Sequence, residues 1–454
     1  MRKLTLLSIL FFTITTIVNA KDLPLLKISK DKHYIVNEDN NPFLWLGDTA
    51  WELIHRLNKE ELDRYFKDRS EKGFTVIQTV ILAELDGLNT PNAYGEKPLI
   101  NNDPTQLNEK YFEFVDYVVK RAEHYGLYLG LLPTWGDKFN LRWGEGPVIF
   151  NAENAQKYGE IIAKRYQKQS NIIWILGGDR LPETEAHYAV VRAMAKGIRA
   201  VDQQKLISYH PSGANKASDV FNDEWLNLDM FQSGHSRDTK DYRYVWESRK
   251  TLPKRPVING EPRYENIPDR FWEPGDHPWL DQSDVRVCAY WSMLAGAAGY
   301  TYGCNDIWQM YSPGRQPTVS ARTGWEEALQ LPGSSQMNFL RALFESFPWQ
   351  NMVNDQSIIL NENSENEAFS IAAIGNNKEF VLAYTPWGHN LTIDLSKMKA
   401  SKVSAYWFNP RSGESTGIGQ FDTTEKPVFK PWALGRGSDF ILVLISDQSN
   451  YQLP

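Results

Sequence analysis

Two runs of this 454-residue sequence drive an apolar stretch directly into an acid. Asn171-Ile-Ile-Trp-Ile-Leu-Gly-Gly-Asp179-Arg180 passes through two glycines before its carboxylate, and Pro256-Val-Ile-Asn-Gly-Glu261 passes through one. A glycosidic bond is cleaved by two carboxyl groups, one protonating the departing oxygen and the other attacking the anomeric carbon or activating water. Acids closing two such stretches suit that reaction. Each alone has a plainer reading: Asp179 as a helix N-cap or a partner of Arg180, Glu261 as an acceptor for Arg263 or Tyr264.

The elements that must position them are legible as an alternation. Apolar runs at 43–46, 76–82, 128–133, 172–176, 206–209, 230–232, 257–259 and 300–302 read as strands. Between them, 59–72, 109–125, 152–167, 183–202 and 284–297 repeat apolar residues three and four apart, as amphipathic helices do. Repeated strand-helix units imply parallel strands joined by crossovers, and eight of them predict a closed (β/α)8 barrel. Gly47-Asp48-Thr49-Ala50-Trp51 stands where an open dinucleotide-binding sheet would carry its glycine-rich turn. After residue 348 the texture changes to short β-rich runs at 358–360, 369–374, 380–384, 391–395, 403–408 and 440–445, separated by Asn-, Gly- and Pro-rich turns. They predict a small antiparallel β-sandwich over 349–454. The barrel then takes 21–348, with an N-terminal hairpin over 25–36 attached to it or to the sandwich.

In such a barrel the reactive groups project from the C-terminal ends of the strands. Those positions offer Asp48 and Trp51 after the first strand, Trp135, Asp137 and Lys138 after the third, and His210 after the fifth. Gln232 and His235 follow the sixth strand, Tyr264 the seventh, and Asn305 and Trp308 the eighth. All are candidates to contact a sugar. The indoles serve either as stacking platforms or as core, and Asp48 either takes a sugar hydroxyl or caps the next segment. His210 and His235 lack the paired spacing of a metal site, so hydrogen bonding to sugar is the expected role and no metal or cofactor is required.

Four segments carry a more specific resemblance: Phe43-Leu-Trp-Leu-Gly-Asp-Thr-Ala-Trp51, Gly177-Gly-Asp-Arg180, Gly260-Glu-Pro262 with Tyr264-Glu265, and Ala405-Tyr-Trp-Phe-Asn-Pro-Arg-Ser-Gly413. Together they resemble the apiosidase-like glycoside hydrolases of family 140 across essentially the whole chain after residue 20. The resemblance implies a catalytic barrel joined to a sandwich labelled collagen-binding. It also implies Asp179 as acid/base, Glu261 as nucleophile, and release of the branched pentose apiose from pectic side chains. In the broader retaining clan the fourth-strand acid is usually Glu preceded by Asn, whereas this sequence has Gly178-Asp179. Rival readings are another specificity on the same barrel, arabinofuranosidase or endo-acting cellulase-like, and a non-hydrolytic glycan- or matrix-binding protein.

Composition agrees with a glycan partner. Trp 16, Tyr 21 and Phe 21 give many aromatic faces for sugar rings. A formal net charge of -7 without basic blocks argues against nucleic acid. Arg2 and Lys3 precede an apolar run over 4–18 and the small-residue site Val18-Asn19-Ala20, the layout of a cleavable export signal over 1–20. The run is too short to span a membrane, so a secreted or periplasmic protein without an integral anchor is expected. The two cysteines, Cys288 and Cys304, allow one disulfide or two buried thiols. Nothing in the spacing of residues bears on oligomeric state.

Overall fold

The computed structural model describes residues 22–454, and the predicted export signal over 1–20 lies outside the described residues. Eight strands, β1 Trp45–Thr49, β2 Val76–Leu82, β3 Tyr128–Thr134, β4 Ile172–Gly177, β5 Ile207–His210, β6 Asp229–Gln232, β7 Val257–Asn259 and β8 Gly299–Tyr302, form the barrel. They pair in the order β5-β4-β3-β2-β1-β8-β7-β6, every ladder parallel. The wall is completed by α1 Lys59–Glu71, α2 Glu109–His124, α3 Ala152–Arg165, α4 Glu185–Val201, α5 Ala217–Val220, α6 Asp241–Ser248, α7 Gln282–Leu294 and α8 Pro332–Glu345. Between β5 and β6 no ladder forms. There Asn227 Oδ1 accepts the Ile207 N–H at 2.8 Å, and Ser208 Oγ donates to the Leu228 carbonyl at 3.0 Å. A short strand, Asn215–Lys216, lies antiparallel on β6.

Side chains alternate along each strand, as the pleat requires. Trp45, Val76, Val80, Leu132, Ile173, Ile175, Met230 and Ile258 fill the inside of the barrel. Leu46, Ile77, Leu129, Leu131, Trp174 and Leu176 face the helices. Leu26 and Ile35 join the inner cluster, so the three-stranded N-terminal sheet of Lys27–Ile28, Ile35–Val36 and Pro42–Phe43 closes on the barrel.

The C-terminal strands β9 Met352–Asn354, β10 Ile371–Gly375, β11 Phe380–Thr385, β12 Lys402–Phe408, β13 Ser415–Asp422 and β14 Phe440–Ser446 form one antiparallel sheet in the order β9-β10-β11-β14-β12-β13. One face, including Ile371, Leu382, Tyr384 and Val443, packs on the barrel helices. The other, including Ile374, Val381 and Leu442, packs on Leu391, Ile393 and Phe429 around a two-stranded sheet. The run expected as a strand at 358–360 is instead a turn of 3-10 helix, Gln356–Ile358, and one isolated bridge from Ile359 to Ile393. Helix α7 is buried on nearly all sides because it lies between the barrel and this sheet. Cys288, on α7, and Cys304, just past β8, are both buried and unbridged. Among the described residues no helix is long and apolar enough to cross a membrane.

A buried ion pair crosses the junction. Arg286 on α7 makes a bidentate contact to Asp439, 2.8 Å from Nε and 2.7 Å from an Nη, while Tyr384 donates to the same carboxylate at 3.0 Å. Removing one partner strands the other charge in a dry interface, a change that typically costs about 3–5 kcal/mol. Asp439→Ala is therefore predicted to destabilise the protein by about that amount. A thermal midpoint within a degree of the parent's would show that the sheet does not brace the barrel.

Candidate active site

The end of β4 is bent by its own glycines. Gly177, Gly178 and Asp179 follow one another at φ 92°, 106° and 52°. A Cβ at 177 would lie 2.5 Å from the His210 carbonyl oxygen, and one at 178 would lie 2.8 Å from the Trp135 ring. Only glycine satisfies both the dihedral and the space. Asp179 is tolerated at positive φ because its side chain is short and polar. Such a conformation persists only where neighbours hold it, and it concentrates at functional sites. The bend is pinned by Gly178 N–H to the His210 carbonyl and Gly136 N–H to the Gly178 carbonyl, both at 3.1 Å.

Glu261 arrives from β7. Gly260 packs so closely on Met230 that a Cβ would lie 2.5 Å from its side chain, and Gln78 Nε2 holds the Gly260 carbonyl at 2.8 Å from across the barrel. His210 Nε2 stands 3.0 Å from one carboxylate oxygen of Glu261, and His235 Nε2 stands 3.3 Å from the other. The Asp179 N–H donates to His210 Nδ1 at 3.3 Å. With Nδ1 accepting that bond, the ring N–H is on Nε2, which lies 3.0 Å from Glu261 as a close contact without hydrogen-bond alignment. One imidazole thus links the backbone of the first acid to the carboxylate of the second. Tyr264 packs on His235 with ring centres 4.4 Å apart.

The surroundings push the two acids in opposite directions. Burial raises the Asp179 pKa, the Glu261 charge raises it further, and Arg180, His210 and the Trp143 N–H offset only part of this. Burial alone would raise Glu261, but His210 and His235 outweigh it and hold the carboxyl down at about 2. Two carboxyls whose surroundings push their pKa values apart can divide the work, the raised one serving as acid and the lowered one as nucleophile or base.

Asp179, Glu261, His210, His235 and Tyr264 are thus brought together, and Gln232 ends β6 with an amide oxygen that has no partner among the described residues. Several other candidates lie elsewhere. Asp48 shares the outward parity of Leu46 on β1 and forms a buried contact with Arg69 Nε at 2.6 Å, with the Tyr65 hydroxyl also donating to it. It ties the barrel to α1 and cannot meet a sugar. Asp137 and Lys138 neutralise each other at 2.7 Å with no exposed surface, and Asp137 also takes the Gly146 N–H. Asn305 is buried and satisfied by the Val319 carbonyl and the Trp308 N–H. Trp51 and Trp135 are each 2% exposed and lie 5.2 Å apart, both against His210. They form a floor beneath the acids, not an open stacking face, and Trp308 is also buried.

Two residues outside the expected set enter the site. Trp143, on the loop between β3 and α3, donates its indole N–H to Asp179 Oδ2 at 3.1 Å. Glu84, two residues past β2, is part-exposed and has its pKa raised well above the usual carboxylate range by burial and by the charges of Glu52, Asp137 and Asp179. A tryptophan followed by two closely spaced glycines in Asn140-Leu-Arg-Trp-Gly-Glu-Gly146 was the available signal for the first. For Glu84 it was an acid just beyond a strand end. Among the described residues no three His, Cys, Asp or Glu side chains form a group that could hold a metal ion.

Residues 29–351 match the family model described as "Apiosidase-like, catalytic domain", and residues 353–445 match "Putative collagen-binding domain of a collagenase". A glycoside hydrolase family 5 protein from Bacteroides vulgatus ATCC 8482 is 32% identical, with 94% of each chain covered and a TM-score of 0.87. A second solved structure, named only as a glycoside hydrolase, is also 32% identical over 94% of this chain and 98% of its own, with a TM-score of 0.86. A family 39 glycoside hydrolase from Bacteroides cellulosilyticus WH2 shares the fold at 12% identity, covering 93% of this chain and 82% of its own with a TM-score of 0.53. No curated protein matches the sequence.

Proposed function

Because the chain belongs to the apiosidase-like glycoside hydrolases, we propose that it is an exported, retaining exo-glycosidase releasing terminal apiose from pectic side chains. Glu261 attacks the anomeric carbon and forms a covalent glycosyl-enzyme while Asp179 protonates the departing oxygen. Asp179 then takes a proton from water as the water attacks that carbon and frees Glu261. The observation that carries this reading is the opposed pair: Glu261, its pKa pushed down beside two imidazoles, and Asp179, its pKa pushed up by burial and by the Glu261 charge. No cofactor has a place in the scheme.

The pH profile follows from the signs. The active form has Glu261 ionised and Asp179 protonated. The acid limb of kcat/KM is therefore predicted below the usual glutamate range, since Glu261 is depressed. The alkaline limb is predicted above the usual aspartate range, since Asp179 is raised. Asp179→Asn should abolish the alkaline limb. An unchanged limb in that variant would assign it to another group.

Specificity is tested by incubating the protein with pectic oligosaccharides and identifying the sugar released, with Glu261→Gln as control. Apiose as the sole early product supports the reading. Release of a different sugar, such as arabinose, keeps the mechanism and overturns the specificity.

A further inference from the structure

The two-carboxylate scheme does not call for the indole of Trp143, yet the fold holds it beside the acid. Trp143 is 61% exposed and sits at φ 44°, a region that a bulky residue occupies only where its surroundings impose it. The restraints are specific. Asp137, buried and paired with Lys138, takes the Gly146 N–H through Oδ2 at 2.9 Å. Gly144 lies so close that a Cβ there would be 2.2 Å from the Asp137 side chain. The Arg180 guanidinium lies 4.8 Å from the centre of the indole ring. The buried ion pair that was expected to bind sugar is therefore the anchor of this loop.

The result is an asymmetry in the Asp179 carboxyl. Oδ2 accepts from Trp143 Nε1 at 3.1 Å and from an Arg180 Nη at 3.2 Å. Oδ1 accepts from no described residue. A carboxylic acid keeps its proton on the oxygen that faces no donor, because an O–H set against an N–H would oppose two hydrogens. We propose that Trp143 is a positioning residue which, by filling Oδ2 together with Arg180, confines the acidic proton to Oδ1 and so selects the oxygen presented to the departing glycosidic oxygen. The inference rests on Asp179 being the acid. The other titratable groups facing Asp179 are Glu261, His210 and Glu84, and all three remain in the variant that tests it.

Trp143→Phe keeps an aromatic ring and removes the N–H. Because that donor stabilises the ionised carboxyl, its loss should move the alkaline limb of kcat/KM to higher pH. Turnover of pectic oligosaccharides, which have poor leaving groups, should fall roughly 10- to 100-fold, part of the roughly 10²- to 10⁴-fold that a general acid supplies. Activated aryl glycosides should fall far less, and the thermal midpoint should hold. An unmoved alkaline limb with undiminished oligosaccharide turnover would overturn the proposal. Equal losses on both substrate classes would also overturn it, assigning Trp143 to binding or folding. Should Asp179→Ala itself lose both classes equally, the acid assignment fails first, which separates that failure from this one.

Discussion

Glu261→Gln is expected to lower kcat/KM roughly 10⁴- to 10⁶-fold, the range seen when one member of a covalent catalytic unit is removed. The loss should be similar for natural oligosaccharides and for activated aryl glycosides, because a good leaving group does not replace a missing nucleophile. Glutamine keeps the size of the side chain, and its amide oxygen can keep the 3.0 Å contact that the Glu261 carboxylate makes with His210 Nε2. The fold should survive, so a near-native thermal midpoint with abolished turnover is the expected pair of readings. Retention of even a few per cent of turnover would place the nucleophile elsewhere.

Asp179→Ala should separate substrates by their leaving groups. Loss of general-acid help slows pectic oligosaccharides by roughly 10²- to 10⁴-fold, while the first step on aryl glycosides with acidic phenols needs little such help. For those substrates release of the sugar from Glu261 becomes the slow step, because water loses its base. A small anion such as azide needs no base and fits the space left by the carboxyl, so added azide should restore turnover and yield a glycosyl azide. Equal losses on both substrate types, without azide rescue, would make Asp179 a structural residue.

Strand-scale features were readable because they depend on local patterns. Gly177 and Gly178 sit in a turn that tolerates no Cβ, and the acids closing the fourth and seventh runs lie close to each other at the strand ends. Side-chain direction was harder to read. The first strand runs to Thr49, not to Leu46, so Asp48 lies within it and its parity turns it outward to Arg69. With a period of two, the difference between past the strand and within it decides which face a residue takes. Asp137 and Lys138 pair with each other, and an apparent rim of charge becomes an anchor. Trp143 reaches Asp179 from a loop, where no periodicity announces a contact. In the C-terminal sheet, β13 escaped notice because Ser415-Thr-Gly-Ile-Gly-Gln-Phe-Asp422 is an exposed edge strand with no buried face to impose alternation.

Double displacement through Glu261 leaves its mark on the stereochemistry of the first product. Hydrolysis followed by proton NMR in its first minutes, before the released sugar mutarotates, should show the anomer with the configuration of the substrate, since two inversions restore it. A first product of inverted configuration would exclude a Glu261 nucleophile, because water would then have attacked directly with Glu261 acting as its base.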